Sequence, residues 1–409
     1  MKQKQPQSRD MEQKIKMRIR EEERNLFKED RERRYKMEKR SRMIIILSVV
    51  LAAVLAASLL TPAILVGSGG VTLAQHMELF QQKVSDLAGF AAGETPQNLV
   101  NFTLYRYLVI AAVGAGLALS GAVYQGSFKN ALASPSTLGV QSGGTLGGVL
   151  YVFFFMESGT SSAVSYEETQ ALAENMSLIE RYGQNFCILL GCFVGVALIV
   201  LISKAAGKGK VSTLALILSG SVFGSIIGGA VNLIQYYMLL KNPNDERTEM
   251  LRYMMMGTFD NVFSLKAMLM VVLPIGAGIA AIIVLRTKLN LLVFGEDEAR
   301  SMGIRVDLIR NGMVAIVTIL TAVCLSFCGQ IGFVGFIIPH MARLLVGPDF
   351  RYLIPASCLT GAISMVVVYN AALMLGYSTN INLMTSLLGG TGFLFLLIRF
   401  RRNSNADWA

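Results

Sequence analysis

Few side chains in this sequence have the chemistry to react, and most of those stand alone. The densest run is Gly295-Glu296-Asp297-Glu298-Ala299-Arg300, closed by Gly303. Glycine at either end permits sharp turns, and carboxylates in a first helical turn complement the helix dipole. Ala299 leaves a smooth spot beside them. Such a segment suits docking onto a soluble partner, and an ordinary amphipathic loop helix is the plainer alternative. Cys324 and Cys328 lie one helical turn apart but have no histidine or further cysteine with them. They read as small apolar packing groups, as do Cys187, Cys192 and Cys358. His340 follows Pro339 without a second ligand, so the expectation is a hydrogen-bonded structural histidine. No metal site and no catalytic group is expected in the chain. Gly207-Lys208-Gly209-Lys210 lacks the spacing of a G-x-x-x-x-G-K-[ST] phosphate loop, so nucleotide hydrolysis would belong to another polypeptide.

The elements that must hold these residues are apolar. The 409 residues are 53% hydrophobic and 16% charged, with mean hydropathy +0.52. Soluble domains carry about 25% charged residues, so the composition indicates a polytopic membrane protein. The net charge of +10 does not indicate nucleic-acid binding. Residues 1–42 hold sixteen Lys/Arg against nine Asp/Glu, and the remainder is nearly balanced. This stretch reads as a charged cytoplasmic tail, partly helical and held near anionic lipid. It is too long for a secretory n-region, and the apolar run after it reads as an uncleaved first span.

Apolar segments fall at 43–66, 104–124, 136–156, 184–204, 211–238, 264–285, 309–328, 331–346, 352–375 and 381–400. At about 20 residues per span, the reading is an all-α protein of about ten transmembrane helices. The permease domain would cover 43–402, with a short cytoplasmic tail at 403–409. Basic residues concentrate in alternate connections: Lys129, then Lys204, Lys208 and Lys210, then Arg286, Lys288, Arg300 and Arg305, then Arg343 and Arg351. The loop 157–183 is acidic, with Glu157, Glu167, Glu168, Glu174 and Glu180. Positive residues stay inside, which puts both termini and the 295–303 segment in the cytoplasm. The segment then lies between spans six and seven.

Small residues crowd two spans, around Gly114–Ala122 and Leu218–Ala230. Gly220, Gly224 and Gly228 recur every four residues and give one smooth face for close helix approach. With Ser219 and Asn232 they are also candidates for lining a transport path, although packing alone explains such a stripe. No Asp or Glu lies mid-span. A carboxylate there costs about 2.5–3.5 kcal/mol and marks ion coupling, so its absence argues against a proton-driven carrier.

Four blocks now resemble a known family. They are Arg106 with A-A-V-G-A-G-L-A-L-S-G-A-V-Y-Q-G-S-F-K-N-A-L-A-S-P-S-T-L-G-V (Ala111–Val140), Leu289–Ile304, Gly329–Asp349 and L-I-P-A-S-C-L-T-G-A (Leu353–Ala362). In order and spacing they are similar to permease subunits of the iron-siderophore, haem and vitamin B12 ABC importers. The resemblance implies a ten-helix subunit paired with a second permease copy or relative. It also implies two ATPase subunits using ATP and Mg beneath, an extracellular substrate-binding protein above, and no cofactor in this chain. Spans 2–5 and 7–10 would be related by a pseudo-two-fold axis in the membrane plane. It makes 295–303 the ATPase-coupling segment and Arg106 a docking residue for the binding protein. The chain departs from the family at Thr103, Tyr105, Asn370 and Met374, where Arg, Pro, Asp and Arg are expected. Arg252, Arg247 or Lys241 are possible substitutes. The implied cargo is an iron-siderophore chelate, with cobalamin or haem as alternatives. An ion-driven secondary transporter is the rival class.

Overall fold

A computed structural model describes residues 35–58, 99–156, 178–207, 213–242, 246–259, 265–294, 296–301, 303–375 and 380–402, all as helices and their connections. Most of residues 1–42, part of the 157–183 loop, Gly295 and the 403–409 tail lie outside them. The chain falls into two units, Met1–Ile46 and Leu47–Ala409. In chain order the helices are α1 (Tyr35–Ser58), α2 (Leu99–Ser127), α3 (Val140–Phe155), α4 (Leu178–Ala206), α5 (Thr213–Lys241) and α6 (Glu246–Met256). There follow α7 (Leu265–Phe294), α8 (Glu296–Ser301), α9 (Val306–Cys328), α10 (Val334–Val346), α11 (Phe350–Met374) and α12 (Ile381–Arg402).

Each apolar segment of the sequence falls on a helix. Among the described residues seven helices are long and apolar enough to cross a membrane. Two others, α3 and α10, are apolar but shorter. α6 lies between the apolar segments 211–238 and 264–285; its run E-R-T-E-M-L-R is mostly helix formers.

Helix α2 is the axis of the molecule. In its most apolar window 89% of residues are buried, against 11% for α5. α7, α9, α10 and α11 all pack on it. Its glycines explain the closeness. A Cβ at Gly114 would run into the Gly361 carbonyl of α11, and one at Gly121 into the Gly335 carbonyl of α10. Hydroxyls finish the contact: Ser120 Oγ lies 3.2 Å from the Val317 carbonyl, and Tyr124 Oη 2.9 Å from Thr318 Oγ1.

The two short helices sit differently from the rest. Sixteen and thirteen residues at about 1.5 Å each fall short of the ~30 Å hydrocarbon core. Gly335, beside the start of α10, lies against Leu117 and Gly121 in the middle of α2. Arg343, near the end of α10, reaches Gln125 at the last turns of α2. Gly143, beside the start of α3, meets Gly191 and Gly195 in the middle of α4, while Tyr151 meets Gly183 near α4's beginning. Each therefore starts beside the middle of a longer helix and runs toward one of its ends. Phe333, which caps α10, holds φ 64°, a left-handed conformation unusual for a side-chain-bearing residue.

Candidate functional site

The 295–303 segment forms α8, six residues held between α7 and α9. Gly303 supplies the expected turn: its φ is 77° and its N–H donates to the Arg300 carbonyl at 3.0 Å. Arg300 pairs with Asp307 at 3.1 Å, both largely exposed, so the guanidinium ties α8 to the start of α9. Ser301 Oγ donates to the Glu298 carbonyl at 2.7 Å. Glu298 is exposed. Ala299 departs from the expectation: it is 0% exposed, turned into its own chain. Its smallness lets α8 lie close to its neighbours and presents nothing to a partner. The backbone of Glu296 and Asp297 belongs to α8, and Gly295 lies outside the described residues.

Arg106 is half-buried on α2. Its Nη1 donates to Tyr369 Oη of α11 at 3.2 Å. Tyr107 Oη donates to Asn370 Oδ1 at 2.5 Å, and Asn370 Nδ2 donates to Ser58 Oγ at 2.6 Å. The Tyr369 ring meets Tyr107 and Phe259 edge-on at 5.7 and 5.9 Å. Asn370, where the family carries Asp, is thus a neutral link among α1, α2 and α11. Of the possible substitutes, Arg247 donates to the Met156 carbonyl at 3.2 Å, while Arg252 and Lys241 are exposed.

The stripe on α5 is not one uniform face. Gly220 is buried, and a Cβ there would strike the Thr137 carbonyl, so it is a packing contact rather than a lining position. Ser219 turns its hydroxyl back to the Ala215 carbonyl at 2.6 Å. Gly224 approaches Ser142, whereas nothing stands within 4 Å of a Cβ at Gly228. Asn232 is exposed, as are Ser221 and Ser225. The small and polar surface left uncovered is therefore the half around Ser221, Ser225, Gly228 and Asn232.

His340 is a structural residue of the α2–α10 contact. Its Nδ1 is 2.7 Å from the Phe336 carbonyl, while Gln125 Nε2 also reaches that carbonyl and Gln125 Oε1 accepts from Arg343. Two further amides, Gln141 and Asn382, bond backbone of other elements. Gln141 Nε2 donates to the Ile331 carbonyl at 2.7 Å, and Asn382 bonds both Gly332 N–H and the Met255 carbonyl. They satisfy backbone left unwound between α9 and α10, which hydrocarbon would not. Lone amides in apolar spans were the available signal. None of the five cysteines is in a disulfide; four are buried and Cys187 is partly exposed. Among the described residues no three His, Cys, Asp or Glu side chains gather.

Apolar helices gathered around one axis, seven of them among the described residues long enough to cross a membrane, are the architecture of a multi-pass membrane protein. The chain belongs to the FecCD transport family, whose sequence model matches residues 50–399. It is 32% identical to the cobalamin import system permease protein of Halobacterium salinarum over 75% of each chain. It is 29% identical to the hemin transport system permease protein of Yersinia pestis, over 74% of this chain and 83% of that one. A solved structure reported as an inward-facing conformation of a metal-chelate type ABC transporter aligns with TM-score 0.64 and 29% identity. The alignment covers 88% of this chain and 99% of that chain.

Proposed function

We propose that this chain is the membrane-spanning subunit of an ATP-driven importer in a cytoplasmic membrane, carrying a metal chelate of the iron-siderophore type. The observation that carries the reading is the family match across 50–399, with relatives that are import permeases. Ten spans place both termini in the cytoplasm. Two permease subunits, a homodimer or a heterodimer, enclose the path, with the uncovered half of α5 around Gly228 and Asn232 facing it. Two ATPase subunits seat on α8, and nucleotide binding there biases outward and inward states of the pore. An extracellular binding protein docks at the Arg106 end. The relatives' cargoes, cobalamin and hemin among them, leave those chelates as second readings.

The test is uptake in vesicles holding the chain with its ATPase and binding protein. Uptake stops with a hydrolysis-dead ATPase and persists with a protonophore at constant ATP. Collapse with the protonophore alone would instead identify a secondary transporter.

A further inference from the structure

The start of α3 meets the connection that leads into α10. Gln141, in the first turn of α3, donates Nε2 to the Ile331 carbonyl just ahead of α10. That bond fixes the whole carboxamide at the junction, so Oε1 lies there too. Gln141 is 4% exposed, and its Oε1 has no hydrogen-bond partner among the described residues. Thr145 stands one turn along the same face of α3, is also 4% exposed, and its Oγ1 likewise has no partner. Thr318, Thr321, Thr391, Ser120 and Ser219 each donate back to the carbonyl four residues earlier. Thr145 does not, so its hydroxyl is aimed elsewhere.

A buried polar atom without a partner is costly, and here two belong to residues one turn apart on α3. Residues four apart on a helix have Cβ atoms about 5–6 Å apart, a gap one molecule can bridge with bonds of about 2.8 Å. The bridging group must donate to Gln141 Oε1. A cation is disfavoured by the positive end of the α3 dipole, and an anion by the amide oxygen itself. A neutral donor and acceptor remains.

We propose that an ordered water molecule occupies the joint between α3 and the connection into α10, donating to Gln141 Oε1 and pairing with Thr145 Oγ1. The second lone pair of the Ile331 carbonyl is available as a third partner, the usual number for a buried water. α3 and that connection then meet through a polar contact that can be remade when they shift. The proposal does not depend on the cargo or on the ATPase.

The sign of one substitution tests it. In a wet joint Thr145→Val removes a bond and lowers the unfolding midpoint of the detergent-solubilised protein by about 2 °C. In a dry joint it removes an unsatisfied hydroxyl, and the midpoint rises, which overturns the proposal. Gln141→Met combined with Thr145→Val supplies a second reading, since water couples two side chains that do not otherwise bond. The double variant should lose clearly less than the sum of the singles, and additive losses overturn the proposal. If Gln141→Met does not fold, the Thr145→Val shift decides alone.

Discussion

At the scale of single residues, α8 divides its work between faces. Ala299 is inside and Glu298 outside, so the surface that α8 offers carries Glu298 and not the alanine. Reversing the exposed charge is then the informative change. Glu298→Lys is expected to weaken ATPase association several-fold at low salt and less at high salt, without moving the unfolding midpoint. Co-purification across a salt series checks this; unchanged association would remove Glu298 from the contact. Which way a small residue points could not be read from G-E-D-E-A-R-S-M-G, because six residues give too little periodicity to separate a helix's faces.

At the scale of elements, two glycines of one helix face should respond oppositely to the same methyl group. Gly220→Ala drives a Cβ into the Thr137 carbonyl and should cost about 1–3 kcal/mol. Gly228→Ala meets open space and should stay within about 0.5 kcal/mol of the parent. Thermal unfolding of both variants in detergent checks the contrast. The four-residue recurrence was legible in the sequence, but what faced it was not, because the partner at Gly220 is a loop carbonyl from a distant stretch. The same holds for α3 and α10. Their apolar letters located them, yet where they start depends on Gly121 meeting Gly335 and on Gln141 reaching Ile331, contacts more than 180 residues apart.

At the scale of the whole molecule, the two ends of the helices are built for different company. The end with Arg106 is knitted by hydrogen bonds around Tyr369 and Asn370, and the bond to Tyr369 holds the arginine in place. Arg106→Glu is expected to weaken binding-protein association roughly tenfold at low salt, leaving ATPase association unchanged, as titrations with each partner would check. Equal affinity with a lowered unfolding midpoint would make Arg106 only a strut to α11. The apolar segments, the axis helix dense in glycine and the position of α8 were all visible in the sequence, because hydrophobic length and small-residue density are local signals. The uneven cysteines carry a practical consequence. With Cys192, Cys324, Cys328 and Cys358 enclosed, a maleimide dye added to the folded, unmodified protein should react first at Cys187. That would put a fluorescent reporter beside the α3–α4 seam without engineering the chain.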